Sequence, residues 1–141
     1  MAMDLMSEKK SLPKSSRLQG ADFARVYAHR RSVSDSTIVL YGRPRSPGTR
    51  DGGARLGLSV SRKIGNAVAR NRWKRRIREA FRAVRARLPA DNDFVVVARP
   101  GPLPEQSVME GAVLTLVSTL VARRGYHDVG RTDGRNNERR G

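Results

Sequence analysis

The sequence predicts an α/β sandwich of the α+β class, a central sheet with helices packed on it. Three observations predict it. Phe94-Val95-Val96-Val97-Ala98 is an unbroken apolar run, suited to a central strand buried on both faces. Leu56, Leu58 and Val60 alternate with Gly57 and Ser59, the period-two pattern of a half-buried strand. Between them, Asn66 to Leu88 carries apolar residues at helical spacing, so strand and helix alternate along the chain.

The elements follow in order. Ala21 to His29 reads as a short helix with Phe23, Val26 and Tyr27 at i, i+3, i+4 spacing. Thr37 to Tyr41 is rich in β-branched residues and reads as a strand, with a further short strand near Arg31 to Ser34. Gly42 to Ala54 is a Pro/Gly loop with scattered arginines. The next helix starts at Asn66, a suitable N-cap, and Pro89 closes it after Leu88. A last helix starts near Pro104, and Arg123, Arg124 and Gly125 fit its C-terminus. Met1 to Ser16 is a Lys/Ser-rich arm and 125–141 a Gly/Arg/Asn-rich tail. Both lack periodic apolar residues and read as flexible, leaving 17–124 as a single folded domain.

Composition narrows the function. Among 141 residues, 29 are Lys or Arg and 13 are Asp or Glu, a formal charge of +16. Such an excess repels itself in the compact state unless a polyanion compensates it. Cysteine is absent, which removes disulfides and thiolate metal sites. Met1 to Lys14 is polar with no apolar stretch of a secretory signal. The most apolar uncharged stretch, Gly111 to Ala122, is well short of the roughly 18 residues a membrane span needs. A cytoplasmic protein is expected, with no membrane partner.

The charge is organised. On a helical wheel Trp73, Ile77, Phe81, Val84 and Leu88 form one stripe, while Asn71, Lys74, Arg75, Arg78, Arg82 and Arg85 share a neighbouring face. A disordered basic tail would have no such stripe to bury. A docked helix presenting guanidinium groups points to a nucleic acid backbone. A solvated charged face is the alternative, but solvated helices normally mix signs. Asp91-Asn92-Asp93 has the carboxylate spacing of a metal loop, yet after Pro89 these residues are ordinary turn formers. His29 and His127 have no partners suited to a general base. No catalytic residue and no metal ligand is therefore expected on the protein. A stand-alone nuclease would need paired carboxylates or a histidine base that the chain does not offer.

Leu56 to Arg78, LGLSVSRKIGNAVARNRWKRRIR, resembles the bacterial ribonuclease P protein component. The resemblance centres on Arg70-Asn71-Arg72, Lys74-Arg75 and Arg78, preceded by Ser61-Arg62-Lys63-Ile64-Gly65-Asn66-Ala67, and extends over about Arg17 to Arg124. It implies an α-β-β-β-α-β-α order with a central sheet and a left-handed β-α-β crossover. It also implies a role as protein subunit of a ribonucleoprotein that removes the 5′ leader from precursor tRNA. In that family the catalytic RNA carries the chemistry with Mg²⁺ bound mainly by the RNA. Residue by residue, it implies that Asn66, Arg70, Asn71, Arg72, Lys74, Arg75 and Arg78 bind the RNA subunit. It places Phe23, Tyr27, Tyr41, Ser59, Arg62 and Lys63 at a cleft for the single-stranded leader, with DNA not expected as a partner. From pattern alone, Phe23, Val26 and Tyr27 read as core more readily than as a platform. Trp73 stands where the family usually has a smaller aliphatic residue, and either the core or the RNA could receive it. The competing class is a structural RNA-binding module, such as a ribosomal or ribosome-assembly protein, which would share the charge.

Overall fold

The computed structural model describes residues 16–45 and 52–128. Along these, α1 spans Gly20–His29, β1 Ser32–Ser34, β2 Ile38–Pro44, β3 Arg55–Ser59, α2 Ala67–Val84, β4 Asn92–Ala98 and α3 Gln106–Val121, with 3₁₀ turns at Arg62–Ile64 and Arg85–Arg87. The four strands form one sheet in the order β1-β2-β4-β3. β1 and β4 lie antiparallel to β2, whereas β3 runs parallel to β4, so α2 is the helix of a β-α-β unit. This is the expected α+β sandwich.

Apolar alternation decides what lies on each face. Ile38, Leu40, Phe94, Val96 and Ala98 point to the larger core, which α2 and α3 complete with Trp73, Ile77, Ala80, Phe81, Val84, Met109, Val113, Val117 and Leu120. Val95 points the other way and joins Leu18 and Val26 under α1, with Phe23, Tyr41 and Val97 packed against them. The run from Phe94 is thus covered on both sides except at half-buried Val97. Trp73 is 3% exposed, so its indole belongs to the core. Asn66 caps α2 by accepting a bond from the Ala69 N–H at 2.9 Å.

Three expectations change. β2 does not stop at Tyr41 but continues through Pro44, pairing Gly42 with Phe94 and Arg43 with Asp93. Gly42 is a close-approach position: a Cβ there would lie 2.7 Å from Leu120 Cδ2 and 2.9 Å from the Tyr126 hydroxyl. The fixed unit also exceeds 17–124. Ser16 and Tyr126, assigned to the arm and the tail, are both wholly buried. The remainder of the arm and tail, and loop residues 46–51, lie outside the described residues. Finally, Arg45 is not a scattered loop charge. It is buried, and its Nη1 donates to Asp93 Oδ1 at 2.8 Å.

Candidate nucleic-acid interface

α2 carries seven cations (Arg70, Arg72, Lys74, Arg75, Arg76, Arg78 and Arg82) against a single acid, Glu79. They do not all have the same employment. Arg76 donates to the Pro104 carbonyl, and just beyond the helix Arg85 Nε donates to the Ala54 carbonyl at 2.7 Å. These two tie α2 to the loops beside it. Elsewhere Arg55 grips Asp93 with both arms of its fork, Nε to Oδ1 at 2.7 Å and Nη2 to Oδ2 at 2.8 Å. That hydrogen bond, outweighing desolvation, raises the Arg55 pKa further above its ordinary value.

By contrast, Arg70, Arg72, Lys74, Arg75 and Arg78 have no hydrogen-bond or ion-pair partner among the described residues. Asn71, Arg72, Arg75 and Arg78 are exposed, Arg70 and Lys74 half-buried, and the Arg70 Nε is enclosed without an acceptor. Asn66, exposed at the head of the same helix, spends its Oδ1 on the cap and keeps its amide NH₂. Like charges one turn apart repel. Among the described residues no carboxylate forms an ion pair with them, so this face suits an external polyanion whose phosphate oxygens match guanidinium forks.

The second candidate surface follows from sheet register. Tyr41, Val95 and Gly57 form one row across β2, β4 and β3, and Val39, Val97 and Ser59 form the next. α1 covers the first row. Val26 is buried there, and Tyr27 meets Tyr41 edge-on with ring centroids 4.9 Å apart. Tyr27 is still 39% exposed, and Val39, Val97 and Ser59 are only half-buried, so the second row is an open floor beside the aromatic pair. Burial, and then the neighbouring Tyr41, raise the Tyr27 pKa and keep its hydroxyl protonated. Arg62 and Lys63 follow β3 on the exposed 3₁₀ turn.

Phe23 does not share that aromatic pair. Its ring lies over Gly57, where a Cβ would come within 2.6 Å of Phe23 Cζ. Gly57 is on β3, two strands from Tyr41 and hence about 10 Å away across the sheet. Phe23 instead lines a recess with Arg17, Lys74 and Arg78. The structure therefore joins Tyr27 and Tyr41, leaves Ser59 two strands away on β3, and sets Phe23 beside the α2 cations. Arg17 was not a candidate from sequence, although it directly precedes the buried Leu18; Arg82, with its own enclosed and unpartnered Nε, was legible only as part of the basic face.

The carboxylates most nearly placed for a cation are already taken. Asp93 holds Arg45 and Arg55, and Asp22 lies 3.1 Å from Arg25 and 3.4 Å from Arg55. Asp91 occupies a left-handed turn (φ 59°), and Asn92 accepts from the Tyr126 hydroxyl. Asp91-Asn92-Asp93 is thus a turn leading into a buried polar anchor, and among the described residues no three potential ligands converge. These residues do not fit a resident Mg²⁺. His29 is buried, with Nε2 2.6 Å from the Tyr126 carbonyl oxygen.

A family model described as Ribonuclease P matches residues 12–119 of this chain. The chain belongs to the ribonuclease P family. It is similar to the ribonuclease P protein components of Levilactobacillus brevis (43% identical over 82 residues, 57% of this chain and 65% of that one) and Shouchella clausii (44% over 78 residues, 55% and 62%). Those matches span less than two thirds of each relative's length. Among solved structures, the ribonuclease P protein of Staphylococcus aureus superposes with a TM-score of 0.61 at 31% identity, covering 75% of this chain and 95% of that one. That of Thermotoga maritima gives 0.63 at 28% identity, covering 73% and 96%. The chain thus shares the fold of these ribonuclease P proteins.

Proposed function

We propose that this chain is the protein subunit of ribonuclease P, assisting a catalytic RNA in removing the 5′ leader from precursor tRNA. One observation carries the RNA-binding part of this reading: the α2 cations divide into those fastened to the fold and those with no partner in it. Arg70, Arg72, Lys74, Arg75 and Arg78, with Asn66 and Asn71, bind the catalytic RNA. Their forks take phosphates bidentately, and the asparagine amides add directional bonds. Tyr27, Tyr41 and Ser59 form the floor on which the single-stranded leader lies, with Arg62 and Lys63 meeting its phosphates. Stacking on tyrosine needs no particular base, which suits a leader of varied sequence. Phe23, the remaining cleft candidate, lies over β3 and outside the tyrosine pair.

The RNA carries the bond cleavage, and Mg²⁺ is assigned to the RNA because Asp22 and Asp93, the carboxylates nearest the two surfaces, are bonded to arginine. The protein's part is to bind, orient and neutralise, in the cytoplasm where precursor tRNA is made. No described helix is long and apolar enough to cross a membrane.

The test is reconstitution. Rigorously RNA-free protein should leave precursor tRNA intact at every magnesium concentration. Adding the cognate RNA should give specific 5′ cleavage at lower magnesium than the RNA needs alone, since a +16 chain offsets phosphate repulsion. Specific cleavage by the protein alone, or an RNA whose magnesium requirement the protein leaves unchanged, overturns the proposal. Preferential recovery of ribosomal RNA with the protein from cells would favour a ribosomal role.

A further inference from the structure

We propose that the recess at the open edge of β3 binds a single extruded nucleotide of the RNA that lies along α2. This rests on the reading that the chain binds RNA, and it adds a base-binding recess where the phosphate-binding face, through Lys74 and Arg78, meets β3, apart from the tyrosine floor. β3 ends the sheet, so one of its edges faces away from β4. The segment before α1 covers part of that edge: Arg17 bridges Leu56 in parallel, and the Leu18 N–H donates to the Leu56 carbonyl at 3.0 Å. In a strand, residues two apart direct their backbone groups to the same side. Leu58 therefore aims an N–H donor and a C=O acceptor at the same edge, past the point where the covering segment has turned away into α1.

A cavity of about 250 Å³ opens there. Its inner wall is apolar, with the Phe23 ring on the α1 side and Leu56 and Leu58 on the strand. Its rim is cationic, with Arg17 from the N-terminal side and Lys74 and Arg78 one helical turn apart on α2. No acid lines it. The parts of the cavity match the parts of a nucleotide. The Phe23 ring and the half-buried Leu58 take the faces of a base, the Leu58 backbone pair takes its hydrogen-bonding edge, and three cations take the phosphate. A bare phosphate would have no use for the apolar wall. A run of leader would need a groove, whereas this volume lies below the roughly 300–1,000 Å³ of pockets for drug-sized ligands and suits one nucleotide unit. Two of the three cations come from α2, which assigns the nucleotide to the RNA along that helix.

The experiment is an NMR titration of the isolated full-length chain at constant ionic strength, with adenosine 5′-monophosphate, inorganic phosphate and adenosine as separate arms. The monophosphate should shift the Leu58 and Gly57 amides and the Phe23 ring signals saturably. Because one stacked base is worth about fivefold or more in affinity, it should bind at least that much tighter than phosphate. Lys74→Ala and Arg78→Ala should each weaken it several-fold while leaving the spectrum dispersed, since neither side chain has a partner in the fold. Phe23→Leu should erase the advantage over phosphate but retain phosphate binding. Equal affinity for phosphate and the monophosphate, or monophosphate shifts scattered over α2 without saturation at Leu58, overturns the proposal. Reconstituted cleavage measured on the same preparation separates the two ideas. If cleavage succeeds while the titration fails, the pocket is lost and the subunit reading stands. If cleavage fails while the titration succeeds, the reverse holds.

Discussion

Asp93 is a charge with 4% of its side chain exposed, and two arginines make that burial tolerable. Arg45 and Arg55 both donate to Oδ1, and Arg55 also reaches Oδ2. The same carboxylate acts on a more distant group. Tyr126 is wholly buried and its hydroxyl donates to Asn92 Oδ1 at 2.7 Å. Burial, and then the negative charge of Asp93, push the Tyr126 pKa well above the usual phenol value. The sign follows from linkage. Below about pH 10 the phenol is protonated in both folded and unfolded chains; above it only the unfolded chain releases the proton, so stability falls as pH rises towards the folded pKa. Tyr126→Phe should cost about 1–3 kcal/mol near neutrality, because Asn92 Oδ1 loses its donor in a buried site. It should also remove this source of alkaline lability. Urea unfolding of both proteins between about pH 8 and 11 checks it: the stability gap should narrow as pH rises. A gap constant across that range would mean the phenol titrates alike in both states.

At the scale of elements, α2 presents two sets of arginines that mutagenesis can separate. The pair Arg76 and Arg85 holds neighbouring carbonyls, whereas Arg70 and Arg72 hold nothing in the fold. Arg70→Ala with Arg72→Ala should leave the urea midpoint unchanged and lower the salt slope of binding to the catalytic RNA by about 1.4–1.8, the counterions of two phosphates. Arg76→Ala with Arg85→Ala should do the opposite, losing about 1–3 kcal/mol of stability with the slope largely kept. Equal effects on stability from the two pairs would show that the division is not real. The stripe Trp73, Ile77, Phe81 and Val84 was legible because helical spacing is a local property, as was the apolar run of β4, but the helix ends at Val84 and Leu88, though buried, lies beyond a 3₁₀ turn rather than on it. What escaped were features set by distant partners. Gly42 and Pro44 read as loop, yet β4 lies beside them and Tyr126 and Leu120 press on Gly42. Arg45 read as a stray charge because Asp93 is 48 residues away. Phe23 and Tyr27 do share a helix face, but the sheet beneath places β3 under one and β2 under the other. That strand order depends on β3 pairing with β4 rather than with β2, and no local pattern encodes it.

The whole molecule carries +16, and its described carboxylates at Asp22 and Asp93 already neutralise arginines away from the α2 face. The bare face therefore stores repulsion in the folded state that the extended chain relieves by separating the charges. A multivalent anion that binds several of these cations at once must favour the folded state, by RT ln(1 + [L]/Kd) for each site. Replacing chloride with sulfate at fixed ionic strength should raise the thermal midpoint, and a site occupied at about ten times its Kd gives about 1.4 kcal/mol. For a chain of this size that is a shift of about 3–8 °C. Sulfate also stabilises proteins generally, through exclusion from apolar surface. The Arg70→Ala, Arg72→Ala protein separates the two effects, since it keeps the apolar surface and loses two of the clustered charges. It should retain the general part of the shift and lose most of the saturable part. Its midpoint in chloride should also match or exceed that of the unmodified chain, because removing two like charges removes repulsion and no side-chain hydrogen bond or ion pair among the described residues. If both proteins gain equally from sulfate, with no saturation, the face is not an anion site in the free protein.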